Sequence, residues 1–147
     1  MTLTAERTAS ETFLAEAAEL LGPRGLTSDP ELMEPWLTDW RGRYTGRALA
    51  LASPGSTGEV ADLMKLCARH GVPIVPQGGN SGMVGGATPD ESGRGILLSL
   101  RRMDTVRGLD EGAGQVVCEA GVILQSLQTL AHENGMRFPL TLGGKGS

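Results

Sequence analysis

Apolar positions along the chain follow two periods. Between residues 8 and 21, Phe13, Leu14, Ala17, Ala18, Leu20 and Leu21 share one helical face. Thr8 and Glu11 have the spacing of a capping box, and Gly22-Pro23 ends the run. Val60, Leu63, Met64 and Cys67 repeat at i, i+3, i+4 and i+7, opened by Ser56 with Glu59 and closed by Gly71, which predicts a second amphipathic helix. A third is predicted from about Val122 to Asn134, with Leu124, Leu127, Leu130 and Ala131 inward and Gly135 at its end. The runs 48–52, 73–76 and 95–100 are short and apolar and read as buried strands. Residues 106–109 and 115–120 read as a hairpin around Asp110-Glu111-Gly112-Ala113-Gly114. Residues 22–47 show no clean period, although 31–37 allow a helical turn or two.

Strand, helix and strand between residues 48 and 76 form a βαβ unit, which places the 73–76 strand beside the 48–52 strand and parallel to it. After residue 95 the pattern turns antiparallel. The expected fold is therefore α+β, a parallel βαβ subdomain followed by a mainly antiparallel part. Residues 1–39 are expected to be an N-terminal helical extension and residues 40–147 one domain.

The 73–76 strand opens directly into Gln77-Gly78-Gly79-Asn80-Ser81-Gly82-Met83-Val84-Gly85-Gly86-Ala87. Glycine lets successive backbone N–H groups turn toward one point and approach a phosphate that side chains would exclude. Gln77, Asn80 and Ser81 add neutral donors, and no Lys or Arg occurs between Val72 and Glu91, so an anion here is held by dipoles. The plain alternative is a flexible surface loop or a turn. Against it stand the strand feeding the loop and the absence of linker-type filler. The carboxyl end of a parallel strand is also where ligands of α/β units sit.

Two phosphate motifs fail on spacing. Gly144-Lys145 is followed by Gly146, and Pro139 stands where a P-loop needs its first glycine. Gly85-Gly86 runs into the turn signature Ala87-Thr88-Pro89-Asp90 rather than a helix, and the next strand ends in Ser99-Leu100-Arg101 without an acid, so no Rossmann fingerprint is present. The expected site is a backbone nest without a helix N-terminus.

Composition narrows the partner. The chain has 147 residues, room for one domain, and 22 glycines, about twice the usual share. Its net charge of −4, with Lys and Arg scattered, argues against nucleic acid and toward a small ligand. No apolar run reaches membrane-span length and residues 1–21 lack a basic start with an apolar block, so a soluble, cytoplasmic protein is expected. Cys67 and Cys118 read as reduced core thiols. Arg41 and Arg43, beside Trp40 and Tyr44, fit either a substrate carboxylate or solvated surface contacts. His70 reads as a helix-end or surface residue and His132 as a surface one.

Residues 72–86, the segment Ser99-Leu100-Arg101-Arg102-Met103, Glu119-Ala120-Gly121-Val122 and the final Pro139-Leu140 through Gly143-Gly144-Lys145-Gly146-Ser147 resemble the FAD-binding domain of the FAD-linked oxidase family, with its vanillyl-alcohol-oxidase-type (PCMH-type) fold. The resemblance covers the chain from about residue 40 to its end. It is greatest to the D-2-hydroxyacid dehydrogenase branch, which includes D-2-hydroxyglutarate and D-lactate dehydrogenases and the glycolate oxidase FAD subunit. It implies FAD as cofactor. Pro76, Gln77, Gly78, Gly79, Asn80, Ser81 and Gly82 would surround the pyrophosphate, Gly85 and Gly86 would complete the turn, and Pro139, Leu140, Gly143, Gly146 and Ser147 would approach the flavin. Ser81 replaces the family's usual Thr and keeps its hydroxyl. Asn80 occupies the position where covalently flavinylated relatives often carry a tethering His, so non-covalent FAD is implied.

The family pattern continues beyond Ser147, which implies the front part of an enzyme that oxidises a D-2-hydroxyacid to the 2-oxoacid. The resemblance places the catalytic His and any metal ligands in a further C-terminal domain, so no catalytic or metal residue is assigned here. The substrate would bind only with that domain. The chain alone is expected to hold FAD weakly, to turn over no substrate, and to self-associate through an uncovered β edge. The competing readings are a self-sufficient nucleotide- or anion-binding module and a fragment with no independent function.

Overall fold

The computed structural model describes residues 2–144 and 146. Its main sheet has four strands in the order β1 (Leu26–Thr27), β2 (Leu51–Ala52), β4 (Ile96–Ser99), β3 (Ile74–Gln77). β2, β4 and β3 are mutually parallel and β1 is antiparallel to β2. A separate antiparallel hairpin joins β5 (Val106–Asp110) to β6 (Gln115–Cys118). Four helices complete the fold: α1 (Thr2–Leu21), α2 (Pro30–Leu37), α3 (Thr57–His70) and α4 (Leu124–Glu133).

The expected neighbourhood of the two βαβ strands needs correction: β4 lies between β2 and β3. All four residues of β4 are buried, which suits a central strand covered on both faces. β3 contains Pro76 and follows Pro73, and a strand that lacks N–H donors is tolerated at an edge.

Period-two alternation divides the core between the two faces. Ala50, Ala52, Ile96 and Leu98 face α1 and α3, where they meet Phe13, Ala17, Leu21, Leu63, Leu66 and Cys67. Leu51 and Leu97 face α2 and meet Met33, with Trp36, Leu37 and Val75 packed around them. Fully burying an aliphatic side chain is worth about 1.5–3 kcal/mol. α1 is thus a structural layer, with Phe13 and Ala17 fully buried.

Two helix assignments also shift. α1 begins at Thr2, so Thr8 lies inside the helix and is no N-cap; the helix formers Ala5, Glu6 and Arg7 extend it backward. The Thr8 side chain itself is outside the described residues. In α3 the buried set is Leu63, Leu66 and Cys67, while Met64 is 47% exposed. The helix presents its face to α1 and the sheet together, which rotates the buried stripe toward Leu66. Its ends match expectation. Ser56 Oγ accepts from Glu59 N at 3.1 Å, Glu59 Oε2 accepts from Gly55 N at 2.7 Å, and Gly71 closes the helix at φ 65°. His70 is tied to α1: its Nε2 lies 3.1 Å from Glu16 Oε1, and its ring meets Phe13 edge-on.

Candidate functional site

β3 and β4 end in register, Gln77 opposite Ser99. Beyond them Gly78-Gly79 and Leu100-Arg101 leave the sheet together and form one wall of a cleft of about 590 Å³. The second, adjoining wall is Ala120, Gly121, Val122 and Ile123 with Ser126 in the first turn of α4, and Gly146 reaches the same space. Much of the lining is glycine or apolar, with Gln77, Arg101, Asp104 and Ser126 as its polar side chains. Gly78 has nothing within 4 Å of where a Cβ would stand.

The second wall is fixed by Glu119. Its Oε1 accepts from Arg107 Nη2 at 2.9 Å and its Oε2 from Thr105 N at 3.1 Å, and these bonds, the Arg107 one first, hold its carboxyl below the usual range. Gly121 then passes so close to the β4–β5 connection that a Cβ would stand 2.0 Å from Leu100 O. Gly121 N donates to Met103 O at 2.9 Å. Only glycine allows this approach.

The first wall is anchored to α2 and its exit loop. Gln77 is buried, and its Nε2 donates to Trp36 O at 2.9 Å and Ala87 O at 2.8 Å. Asn80 adopts φ 53° and its Nδ2 donates to Thr38 O at 2.8 Å. Both Gln77 N–H groups and one of Asn80 thus go to carbonyls, and these bonds shape the loop. The exit loop is held in turn by Asp39, which is buried. Asp39 Oδ1 accepts from Tyr44 N and Arg43 N, both at 2.7 Å, and Oδ2 from Arg41 N at 3.3 Å. These backbone bonds, that from Tyr44 foremost, pull the Asp39 carboxyl below its ordinary 3.8 against the opposing effect of burial.

Of the residues expected to bind a cofactor, Pro76, Gln77, Gly78, Gly79 and Gly146 meet in the cleft. Asn80, Ser81, Gly82, Gly85 and Gly86 continue past it toward the 38–44 loop, where Gly85 lies against the Tyr44 ring. Pro139, Leu140 and Gly143 are exposed outside the cleft, and Leu140 O accepts from Gln128 Nε2 at 2.7 Å. Ser147 lies outside the described residues. Arg41 stacks on Trp40 at 5.4 Å and its Nη2 approaches Met83 Sδ at 3.8 Å, the surface alternative for that arginine.

Arg101, Asp104 and the 120–126 segment were not expected as site residues. No periodic signal marks Arg101, because β4 ends at Ser99 and Arg101 lies in the turn that follows. The expected site had no helix N-terminus, and the start of α4 lines this cleft through Ile123 and Ser126. The N-cap Ile123 makes no side-chain capping bond.

A family described as "FAD binding domain" matches residues 48–147. The chain belongs to this FAD-binding family. The D-2-hydroxyglutarate dehydrogenase of Bos taurus is 41% identical over 140 residues, covering 94% of this chain and 25% of the relative. That of Arabidopsis thaliana is 38% identical over 131 residues, 88% and 23%. A putative D-lactate dehydrogenase of Schizosaccharomyces pombe is 33% identical over 139 residues, 93% and 26%. The FAD-binding chain thus spans about a quarter of the length of the curated relatives it matches. All three are named mitochondrial, so they lend no support to a cytoplasmic location. Among the described residues no helix is long and apolar enough to cross a membrane.

Solved structures carry the fold. An alkyldihydroxyacetonephosphate synthase superposes with a TM-score of 0.75 at 24% identity, over 85% of this chain and 25% of that one. p-Cresol methylhydroxylase gives 0.75 at 20%, over 88% and 25%. The expected PCMH-type FAD-binding fold is borne out.

The cleft fits FAD. Its volume lies within the range of about 300–1,000 Å³ usual for cofactor sites. Its walls offer glycine backbone, a helix start, apolar Val122 and Ile123, and the Arg101 guanidinium, a donor set suited to a long molecule with a charged middle.

Proposed function

We propose that this chain is the cofactor-holding part of a flavoenzyme that oxidises a D-2-hydroxyacid of the D-lactate or D-2-hydroxyglutarate class to the 2-oxoacid. The observation that carries the reading is the cleft, in which Gly78-Gly79 and Ala120–Ser126, from segments about 40 residues apart in sequence, bring backbone and a helix start to one space. The similarity to two named dehydrogenases of D-2-hydroxyacids supports the substrate class.

When bound, FAD supplies a two-electron acceptor for conversion of the hydroxyl-bearing carbon to a carbonyl. The residues of this chain bind and orient it. Gly78 and Gly79 offer N–H groups, Pro76 and the Gln77 anchor to α2 fix the loop's entry, and the 120–126 wall excludes water from the other side. The cofactor is held without a covalent bond, since Asn80 offers no nucleophile and its amide is engaged with Thr38. His70 and His132 lie outside the cleft. The group that takes the hydroxyl proton and the anchor for the substrate carboxylate come, in this reading, from parts of the enzyme beyond these residues. Anaerobic mixing of the full-length protein with D-2-hydroxyglutarate or D-lactate should bleach the oxidised flavin band and yield the matching 2-oxoacid. A flavin that stays oxidised with both acids would reject the substrate class.

A further inference from the structure

The glycine loop carries no cation, but the tertiary structure delivers one to it. Arg101 lies in the turn that follows β4 and lines the cleft together with Gly79. There its guanidinium lies over the Trp36 ring, 4.2 Å from the centroid. The Trp36 carbonyl meanwhile accepts Gln77 Nε2. One residue of α2 therefore holds the cation by its ring and the root of the glycine loop by its backbone. Asp104 is the carboxylate on this cleft wall, and among the described residues no ion pair joins it to Arg101. The guanidinium charge is not already neutralised.

We infer that Arg101 is the countercharge for the FAD pyrophosphate and that Trp36 is its positioning residue. The inference rests on the FAD reading of this same cleft. A diphosphate carries two negative charges at neutral pH, and backbone dipoles solvate them without cancelling them. A guanidinium stacked on an aromatic face keeps its edge N–H groups available, and their parallel geometry matches two phosphate oxygens. Lysine would supply the charge without the fork or the stacking.

The test is fluorescence titration of the flavin-stripped full-length protein with FAD, with ADP as a diphosphate lacking flavin, and with riboflavin as a flavin lacking phosphate. Arg101→Gln should weaken FAD and ADP by about 10- to 100-fold, the worth of a hydrogen bond to a charged group, and leave riboflavin within about twofold. Wild-type FAD affinity should fall as salt rises, and this dependence should flatten in Arg101→Gln. Arg101→Lys should restore the salt dependence but only part of the affinity. Trp36→Leu should weaken FAD less than Arg101→Gln does and keep the salt dependence. Equal weakening of riboflavin would make Arg101 merely structural and overturn the inference, as would FAD and ADP affinities unchanged in Arg101→Gln while wild type binds both. A wild-type protein that binds neither FAD nor riboflavin would instead reject the underlying FAD reading.

Discussion

Two glycine-to-alanine changes in the lining of the cleft should fail in opposite ways. At Gly121 the added Cβ would stand 2.0 Å from Leu100 O, and 2.8 Å from both Leu100 C and Met103 O. These are backbone atoms, so no rotamer relieves the clash, and reaching even a 3.0 Å separation requires a shift of 1.0 Å. Such a shift strains the Gly121 N to Met103 O and Met103 N to Leu100 O bonds, both 2.9 Å. Overpacking of this kind costs about 1–3 kcal/mol and each of the two weakened hydrogen bonds about 1 kcal/mol, so Gly121→Ala should destabilise by about 3–5 kcal/mol. At Gly78 nothing stands within 4 Å and the backbone is not left-handed, so alanine should change stability by less than about 1 kcal/mol. Its methyl enters the space in front of the loop, and FAD affinity should drop about tenfold or more, a cost of roughly 1.4 kcal/mol or above. Urea denaturation and FAD titration of the full-length protein separate the two effects. Gly121→Ala with wild-type stability would refute the packing argument, and Gly78→Ala with wild-type affinity would show that FAD does not approach this loop.

Asp39 gives a pH signature. Its folded carboxyl titrates below the ordinary value of 3.8, so its contribution to stability is fully present above that value and is lost as pH falls through the lower folded value. Asp39→Asn should lower the melting temperature at pH 7 and reduce the acid sensitivity of the loop around Tyr44; an unchanged acid-melting profile would contradict the assignment. Burial raises the Cys67 thiol to about 11. At pH 8 Cys67 should resist iodoacetamide until the protein unfolds, and Cys118, which is only partly buried, should react first; mass spectrometry that finds Cys67 alkylated in the native state would oppose this. Acid precipitation should release all flavin into the supernatant, and colour retained in the pellet would disprove non-covalent binding.

Much of this was legible because short-range chemistry decides it. The Ser56–Glu59 cap, the Gly71 stop and the turn before Gly114 are written in adjacent residues and form as expected. The apolar residues Ile96, Leu97 and Leu98 of β4 announced a strand, but their period could not say that it would insert between β2 and β3. Strand order depends on which strand best tolerates burial on both faces, and on where proline is permitted. For the same reason the loop was legible as a backbone nest while its side chains were not. Gln77 and Asn80 look like ligand donors in isolation, and only their approach to Trp36 and Thr38 shows them engaged. Arg101 is 22 residues beyond Gly79 in sequence, and only the folded structure brings the two to one cleft.

The central claim is that the glycine backbone at 78–79 holds FAD in this cleft. The flavin-to-protein ratio of the full-length protein, purified without added cofactor, tests it most directly when wild type is compared with Gly79→Val. Wild type should carry stoichiometric FAD. The variant should carry none while keeping its circular dichroism and its urea midpoint, because a branched side chain then stands where phosphate must meet the main chain. Full flavin occupancy in Gly79→Val would contradict the account.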